Sequence, residues 1–316
     1  AYTPQMILQI TILCLGLALL YLGSELLVNG ASTTAIMFAV KPVIVGLTVV
    51  SLATSAPELL VSLLAAIKGS EGISLGNILG SNVINIALVL GISSMIKPVL
   101  IKKQLIKIDI PYLVAVTLIF WLLCLDNTID RVDGWVLIVL LLLFLVYGIR
   151  NAKDSNGNNL GAEKLSRKDL AKNLGMIILG ILMLAKGADW VVQNAILMAQ
   201  RIGLSQTFIG ISVVALGTSL PELATSAVAA SKGESDITLG NVVGSNLFNI
   251  CLVMGVVGIF NPMKFEASLH WFEFPFMVFI TLLLSTMAYF YQHTGKKTGI
   301  AFVSLFVIYI AVSYIK

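Results

Sequence analysis

The sequence predicts an all-α polytopic membrane protein of ten transmembrane helices, built as two inverted-topology five-helix repeats whose broken helices meet near the membrane midplane. Three observations predict it: the scarcity of charge, the recurrence of long apolar runs, and a self-similarity at one constant offset. Of the 316 residues, 58% are hydrophobic and only 11% charged, with a mean hydropathy of +0.98. A soluble domain of this length carries roughly 25% charged residues, so this chain cannot keep so much apolar surface in water. Runs of about 20 apolar residues each suffice to cross a ~30 Å hydrocarbon core. With no water there to bond the backbone, such runs must be helices.

In chain order the expected spans are 6–28, 43–67, 73–96, 109–125, 134–150, 173–196, 207–231, 237–260, 271–291 and 298–315. The first lacks the basic start of a cleaved leader and has a counterpart in the sixth, so it is expected to be a true span. Lysine and arginine placement sets orientation. With the N-terminus outside, fourteen of these residues fall in cytoplasmic loops and five on the other side, with Lys186 inside a span. Both termini are therefore expected to be extracytoplasmic, in a multi-pass protein of the cell (plasma or inner) membrane.

The domain plan that follows is a first repeat over 1–150, a cytoplasmic linker over 151–172 and a second repeat over 173–316. The linker opens with the turn-rich stretch Asp154-Ser155-Asn156-Gly157-Asn158-Asn159, and Glu163 to Lys172 are expected to add a short surface helix. The net charge of +4 lies in short loops and gives no reason to expect nucleic acid. Cys14, Cys124 and Cys251 stand alone in apolar stretches and read as small buried hydrophobes. His270, His293, Trp271 and Tyr291 fall near span ends and read as interfacial. No obligate protein partner is evident; the lipid bilayer is the surrounding partner.

The self-similarity is the most informative feature. Residues 46–91 align without gaps to residues 210–255, an offset of 164, with 26 of 46 positions identical. The identities include Thr, Ser, Pro, Glu, Lys, Gly and Asn, not only the apolar residues that any two spans share. Five spans separate equivalent points, and an odd number reverses the direction of travel. The two copies must therefore enter the membrane from opposite faces, related by a pseudo-two-fold axis in its plane.

Each copy carries two polar clusters. The first is Thr54-Ser55-Ala56-Pro57-Glu58, repeated as Thr218-Ser219-Leu220-Pro221-Glu222. Pro57 and Pro221 lack an amide hydrogen, so carbonyls near Ser51 and Thr54, and near Ala215 and Thr218, are expected to lose their helical donors. The second is Gly76-Asn77-x-x-Gly80-Ser81-Asn82-x-x-Asn85, repeated as Gly240-Asn241-x-x-Gly244-Ser245-Asn246-x-x-Asn249. Its glycines offer a small-xxx-small packing face. Ser81 and Asn85 lie one turn apart on one face, as do Ser245 and Asn249.

Glu58 and Glu222 decide the chemistry. An intramembrane carboxylate is costly and marks an ion path. Two of them, ringed by hydroxyl, amide and carbonyl oxygens, suit a hard cation: one Ca²⁺, which takes about six to eight oxygens, or several Na⁺ over the same oxygens. With no His or Cys in the clusters, zinc and copper are disfavoured. Taken singly, a Thr-Ser bonds its own backbone, a Pro kinks a helix, Asn and Gly pack helices, and a Glu could pair with Lys186. None of these explains why all recur together in two opposed places. For Asn77, Asn82, Asn241 and Asn246 packing alone is a stronger competing reading than for the other members. Glu25 and Asp189 also stand 164 apart and read as structural or as lying at the mouth of the ion path, and Asp189 could bond Lys186 one turn away. No phosphate-binding loop, nucleophile elbow or zinc-protease motif appears, so an enzyme is not expected.

The two clusters resemble the alpha-repeats of the sodium/calcium exchanger family, within the calcium/cation antiporter superfamily, and especially its prokaryotic-type members. The resemblance implies exchange of several Na⁺, usually three, for one Ca²⁺ by alternating access, with both ions as transported substrates and no cofactor. Carried over by position, Glu58 and Glu222 would be the central Ca²⁺ ligands, with backbone oxygens of Thr54 and Thr218. The carbonyls of Ser51 and Ala215 and the hydroxyls of Ser81 and Ser245 would serve sodium subsites. Ser55 and Ser219 would shape the site, and Asn85 and Asn249 would line its middle. Some members carry Asp where this chain has Asn249, which argues here against potassium co-transport. The calcium/proton branch carries a glutamate where Gly80 and Gly244 stand, which disfavours protons. A divalent cation/proton antiporter and, less so, a cation channel are the competing expectations.

Overall fold

The computed structural model describes residues 4–38, 40–69, 71–151, 167–201 and 215–315. The chain folds into α1 (Pro4–Met37), a bent pair α2 (Pro42–Thr54) and α3 (Ala56–Ile67), α4 (Glu71–Ile96), α5 (Leu105–Asp126) and α6 (Arg131–Arg150). The second half repeats the plan: α7 (Arg167–Arg201), α8 (Ala215–Thr218), α9 (Leu220–Lys232), α10 (Ser235–Phe260), α11 (Glu273–Tyr291) and α12 (Lys296–Ile315). Among the described residues, eight helices are long and apolar enough to cross a membrane, and the α2–α3 pair makes a ninth. The expected span over 207–231 is described only from Ala215 onward, as α8 and α9; its first part lies outside the described residues. The chain is a multi-pass membrane protein.

Burial is inverted relative to a soluble fold. In α4 and α10, which carry the Asn- and Gly-rich clusters, 83% of the membrane window is buried, against 28% in α6 and 17% in α12. The polar motifs thus occupy the centre, while leucines such as Leu122 and Leu143 face outward at 63% and 59% exposure. That arrangement suits a lipid solvent, because buried polar groups can bond one another and apolar ones need no cover.

Two short antiparallel clasps join the repeats. β1 (Val99–Leu100) pairs with β4 (His293–Thr294), and β2 (Thr128–Ile129) pairs with β3 (Met263–Lys264). Each clasp takes one strand from each half, so the loops it joins lie at the same face. The chain between β1 and β4 must then cross the membrane an even number of times, as the ten-span order requires.

α1 and α7 run antiparallel in close contact along a glycine seam. A Cβ on Gly23 would meet the Gly180 carbonyl oxygen at 2.9 Å, and one on Gly187 would meet that of Gly16 at 2.8 Å. Such spacing lets two backbones touch directly. The glycines recur every seventh residue, at 16, 23 and 30 and at 180 and 187.

Two expectations need correction. The surface helix over 163–172 is not separate: residues 167–172 open α7 itself, because no breaker stands between Arg167 and the apolar stretch, while 152–166 lie outside the described residues. Cys14 is exposed, whereas Cys124 and Cys251 are buried, since Cys14 sits on the outward face of α1. Lys186 pairs with Asp189 at 3.0 Å, one turn away as expected, and not with a central glutamate.

Candidate functional site

Both glutamates sit where a membrane helix breaks. Ser55 leaves helical geometry at φ −83°, ψ 4°, and the two halves of that span diverge by 43°. Ser219 adopts φ −85°, ψ 4° at the same place in the second copy. Pro57 and Pro221 then open the new half-helices, a position that suits proline because the first-turn amides have no helical acceptor. Glu58 and Glu222 follow in that first turn, where the positive end of the helix dipole favours a carboxylate.

The break differs in one respect from the sequence expectation. The Ser51 carbonyl keeps a helical donor, the Ser55 amide at 2.9 Å, and the Ala215 carbonyl keeps the Ser219 amide at 3.3 Å. The reason is the i to i−4 rule: a proline at 57 deprives residue 53, and one at 221 deprives residue 217. Any role for the Ser51 and Ala215 carbonyls therefore uses their second lone pair.

The twelve residues singled out as candidate ligands are all at most 6% exposed. Cross-repeat bonds bring them together. Ser55 Oγ donates to Glu222 Oε1 at 3.2 Å, and Ser219 Oγ donates to Glu58 Oε1 at 3.2 Å. Thr54 Oγ1 donates to Asn241 Oδ1 at 3.1 Å, and Thr218 Oγ1 donates to Asn77 Oδ1 at 3.2 Å. Ser245 Oγ lies 3.4 Å from both Asn241 Oδ1 and Thr54 Oγ1. Ser51 Oγ donates to the Gly46 carbonyl of its own helix at 2.6 Å and lies 3.3 and 3.2 Å from the Gly240 and Asn241 carbonyls across the repeat.

Close backbone approach makes this possible. A Cβ on Gly240 would meet the Val43 carbonyl oxygen at 2.8 Å, and one on Gly244 would meet the Leu47 carbonyl oxygen at 2.7 Å. Gly80 faces Ala215, its added Cβ 3.6 Å from the alanine's. The small-xxx-small reading thus holds where α10 meets α2.

The asparagines divide into two kinds. Asn85 Nδ2 donates to Asn246 Oδ1 at 3.0 Å, and Asn246 Nδ2 donates to the Asn82 carbonyl at 3.3 Å, so these knit α4 to α10. Asn249 is fully buried, yet neither its Oδ1 nor its Nδ2 bonds another protein group. The same is true of Glu58 Oε2, Glu222 Oε2, Ser81 Oγ and Asn85 Oδ1. A buried polar atom left unbonded costs on the order of 1–3 kcal/mol, more for a charged one. Five oxygens of the candidate residues, all buried, are in that condition.

Sequence reasoning missed two supports. Ser62 accepts from Asn77 Nδ2 at 3.0 Å, and Ser226 accepts from Asn241 Nδ2 at 2.9 Å. These serines orient the amides that anchor Thr218 and Thr54. Their signal was present, since they are identical residues at the repeat offset. The π-helical turns Gly46–Val50, Asn85–Leu90 and Phe248–Met254 were also unforeseen. Each inserts an extra residue per turn beside Ser51, Asn85 or Asn249 and re-aims those groups; such turns gather at functional sites.

Among the described residues the ion pairs are Lys102–Asp236, Lys186–Asp189 and Lys232–Glu25, none of which involves Glu58 or Glu222. Nor does any group of three or more His, Cys, Asp or Glu residues form there. The donor set is two carboxylates and neutral oxygens, which favours a hard cation over a transition metal. A cavity of about 310 Å³ reaches the site, lined by Ala53, Ala56 and Pro57 from one repeat, by Gly217, Thr218 and Pro221 from the other, and by Ile181, Leu184, Ala185 and Asp189 on α7.

Comparison with known proteins agrees with this construction. The model of the sodium/calcium exchanger protein family matches residues 8–150 and 172–315. The chain is 30% identical over 319 residues to the inner membrane protein YrbG of Escherichia coli, covering 98% of each. It is 28% identical over 311 residues to the sodium/calcium exchanger MaX1 of Methanosarcina acetivorans, covering 86% of this chain and 89% of that one. A solved structure of the sodium-calcium exchanger NCX_Mj, soaked with Na⁺ and Ca²⁺, superposes with a TM-score of 0.84 at 33% identity, covering 96% of this chain and 98% of the other. Two inverted alpha-type repeats, two glutamates at paired helix breaks and a match to both halves converge: the chain belongs to the sodium/calcium exchanger family.

Proposed function

We propose that this protein is a secondary antiporter that exchanges Na⁺ for Ca²⁺ by alternating access. The observation that carries the reading is the pair of buried glutamates, each held through one oxygen by a serine of the opposite repeat while the other oxygen has no protein partner. One Ca²⁺ neutralises both carboxylates. Oε2 of Glu58 and of Glu222 and the backbone oxygens of Thr54 and Thr218 supply its ligands. Sodium ions use overlapping oxygens, with the Ser51 and Ala215 carbonyls and the Ser81 and Ser245 hydroxyls added. Ser55 and Ser219 hold the glutamates, and Asn85 and Asn249 line the middle. Because the two sets overlap, loading one ion displaces the other.

Three Na⁺ against one Ca²⁺ moves one net charge per cycle, a step that feels roughly 2.3 kcal/mol per 100 mV. The protein needs no cofactor and catalyses no covalent step. We place it in the cell's plasma or inner membrane with both termini outside, in line with the lysine and arginine bias, and treat 1–150 and 173–316 as the repeats joined by the linker 151–172. The test is ⁴⁵Ca²⁺ uptake in proteoliposomes under an opposing Na⁺ gradient. Uptake that follows the gradient and disappears in Glu58→Gln and Glu222→Gln supports the reading. Uptake indifferent to sodium but driven by a pH gradient selects a Ca²⁺/H⁺ antiporter, and flux at channel rates without any counter-ion removes exchange altogether.

A further inference from the structure

The two clasps occupy equivalent places in the repeat but carry charge of opposite sign. Moved by the offset of 164, β1 falls on β3, and β4 moved back by it overlaps β2. Around β1 and β4, residues 97–107 and 291–297 hold six lysines and no carboxylate: Lys97, Lys102, Lys103, Lys107, Lys296 and Lys297. The same windows around β3 and β2, residues 261–271 and 127–133, hold Lys264 and Arg131 against Glu266, Asp130 and Asp133. The fold gathers the lysines from two distant stretches. Val99 pairs with Thr294 and Leu100 with His293, and the Ile101 amide donates to the Gln292 carbonyl at 2.9 Å.

All six lysines are exposed. Among the described residues Lys102 alone of them forms an ion pair, with Asp236. Charge of one sign on so small a surface favours an anionic partner. Two further features locate that partner in the membrane surface. Four spans end at this clasp: α4 at Ile96, α5 at Leu105, α11 at Tyr291 and α12 at Lys296. Tyr289, Phe290 and Tyr291 run directly into β4 and are 68–70% exposed, and exposed aromatic residues of that kind settle at the level of lipid headgroups. Beside the clasp a hollow of about 320 Å³ is lined by Lys41, Lys102, Lys103 and Gln104, with Asp236 the one carboxylate in its wall.

We propose that the β1–β4 clasp is a docking surface for anionic lipids, whose headgroup phosphates sit among Lys103, Lys296 and Lys297. Their acyl chains run down the outer faces of α5 and α12, where Ile108 and Ile300 are exposed. Lysine stems lie along such apolar surface while the ammonium groups stay at the phosphate level. Basic clusters just outside membrane helices recognise anionic headgroups in this way. Because the clasp takes a strand from each repeat, a lipid bound there bridges the two halves of the protein. The β2–β3 clasp, with its excess of carboxylate, takes no such lipid.

Native mass spectrometry of the full chain, delipidated in non-ionic detergent, tests this with dioleoyl-phosphatidylglycerol and dioleoyl-phosphatidylcholine as probes. The anionic lipid is expected to bind about fivefold more tightly or better, since one lysine near an anionic surface supplies about that factor. Lys103→Gln, Lys296→Gln and Lys297→Gln together are expected to abolish the preference, whereas arginine at the same three positions keeps it. Arg131→Gln with Lys264→Gln, at the other clasp, is expected to leave it unchanged. Equal binding of the two lipids by the parent overturns the proposal. So does a preference that survives the glutamine changes, or one lost equally with arginine. Glycerol 3-phosphate that displaces the lipid at equal concentration identifies a soluble-anion pocket and overturns the lipid assignment too. No ion flux is read, so these outcomes are separate from those of the exchange reading.

Discussion

The hydroxyl of Ser219, from the second repeat, donates to Oε1 of Glu58, from the first, across 3.2 Å. Its mirror, Ser55 to Glu222, has the same length. Each glutamate thus has one oxygen bonded to the other repeat and one without a protein partner. Removing the donor leaves the carboxylate less restrained and a buried charge under-bonded. Ser55→Ala and Ser219→Ala are each expected to weaken Ca²⁺ binding about 10- to 100-fold, the range for supports of ion ligands. Titration of the purified protein by calorimetry checks this, and variants that bind Ca²⁺ as the parent does would refute the role.

Ser226 touches no candidate ligand directly, yet it accepts from Asn241, which in turn accepts from Thr54. Ser226→Ala is expected to cost about 1 kcal/mol of stability, as for one hydrogen bond, and to raise the half-saturating Ca²⁺ concentration severalfold. Thermal unfolding in detergent together with ⁴⁵Ca²⁺ uptake separates the two effects. Ser226→Thr, which keeps the hydroxyl, is expected to recover the affinity in part.

Asn246 and Asn249 make a contrasting pair. Asn246 bonds across α4 through both amide atoms, whereas neither atom of Asn249 bonds the protein. Asn246→Ala is therefore expected to lower the unfolding temperature by several degrees, since it orphans the Asn85 amide. Asn249→Ala is expected to leave the unfolding temperature of the ion-free protein within a degree or two while weakening ion binding about tenfold. Equal thermal losses in both would contradict the distinction.

The α1–α7 seam has no room for a side chain at Gly180, where a Cβ would meet the Gly23 carbonyl oxygen at 2.7 Å. Gly180→Leu is expected to separate the helices and cost at least 1–3 kcal/mol from overpacking. Loss of folded protein in fluorescence-detected gel filtration is the readout. Gly175→Ala, at a position of the same helix where a Cβ meets nothing within 4 Å, is the control expected to behave as the parent.

Much of this protein was legible before any coordinates. The offset of 164 identified Glu58 with Glu222 and Asn85 with Asn249 as equivalent positions, and their polarity in apolar runs marked the centre. Local rules went wrong where partners come from far away. The Ser51 carbonyl seemed freed by Pro57 but keeps the Ser55 amide. Asn77 and Asn241 stood in the polar motifs with no partner named, and their side-chain oxygens hold the threonines of the opposite repeat. Nor does a periodicity argument anticipate the π-turns beside Asn85 and Asn249, because an extra residue in a turn is selected by tertiary packing.

By itself the sequence determined the membrane setting, the inverted pairing and the two acidic positions, because hydrophobicity and internal repetition are properties of the chain as written. Only the tertiary structure decided which oxygens remain unbonded, that Asn249 differs from Asn85, and that Glu25 bonds Lys232 across to α9 while Asp189 bonds Lys186 of its own helix. Those outcomes break the symmetry of the repeat. Which contacts form is settled by packing between segments distant in the chain, not by either half alone.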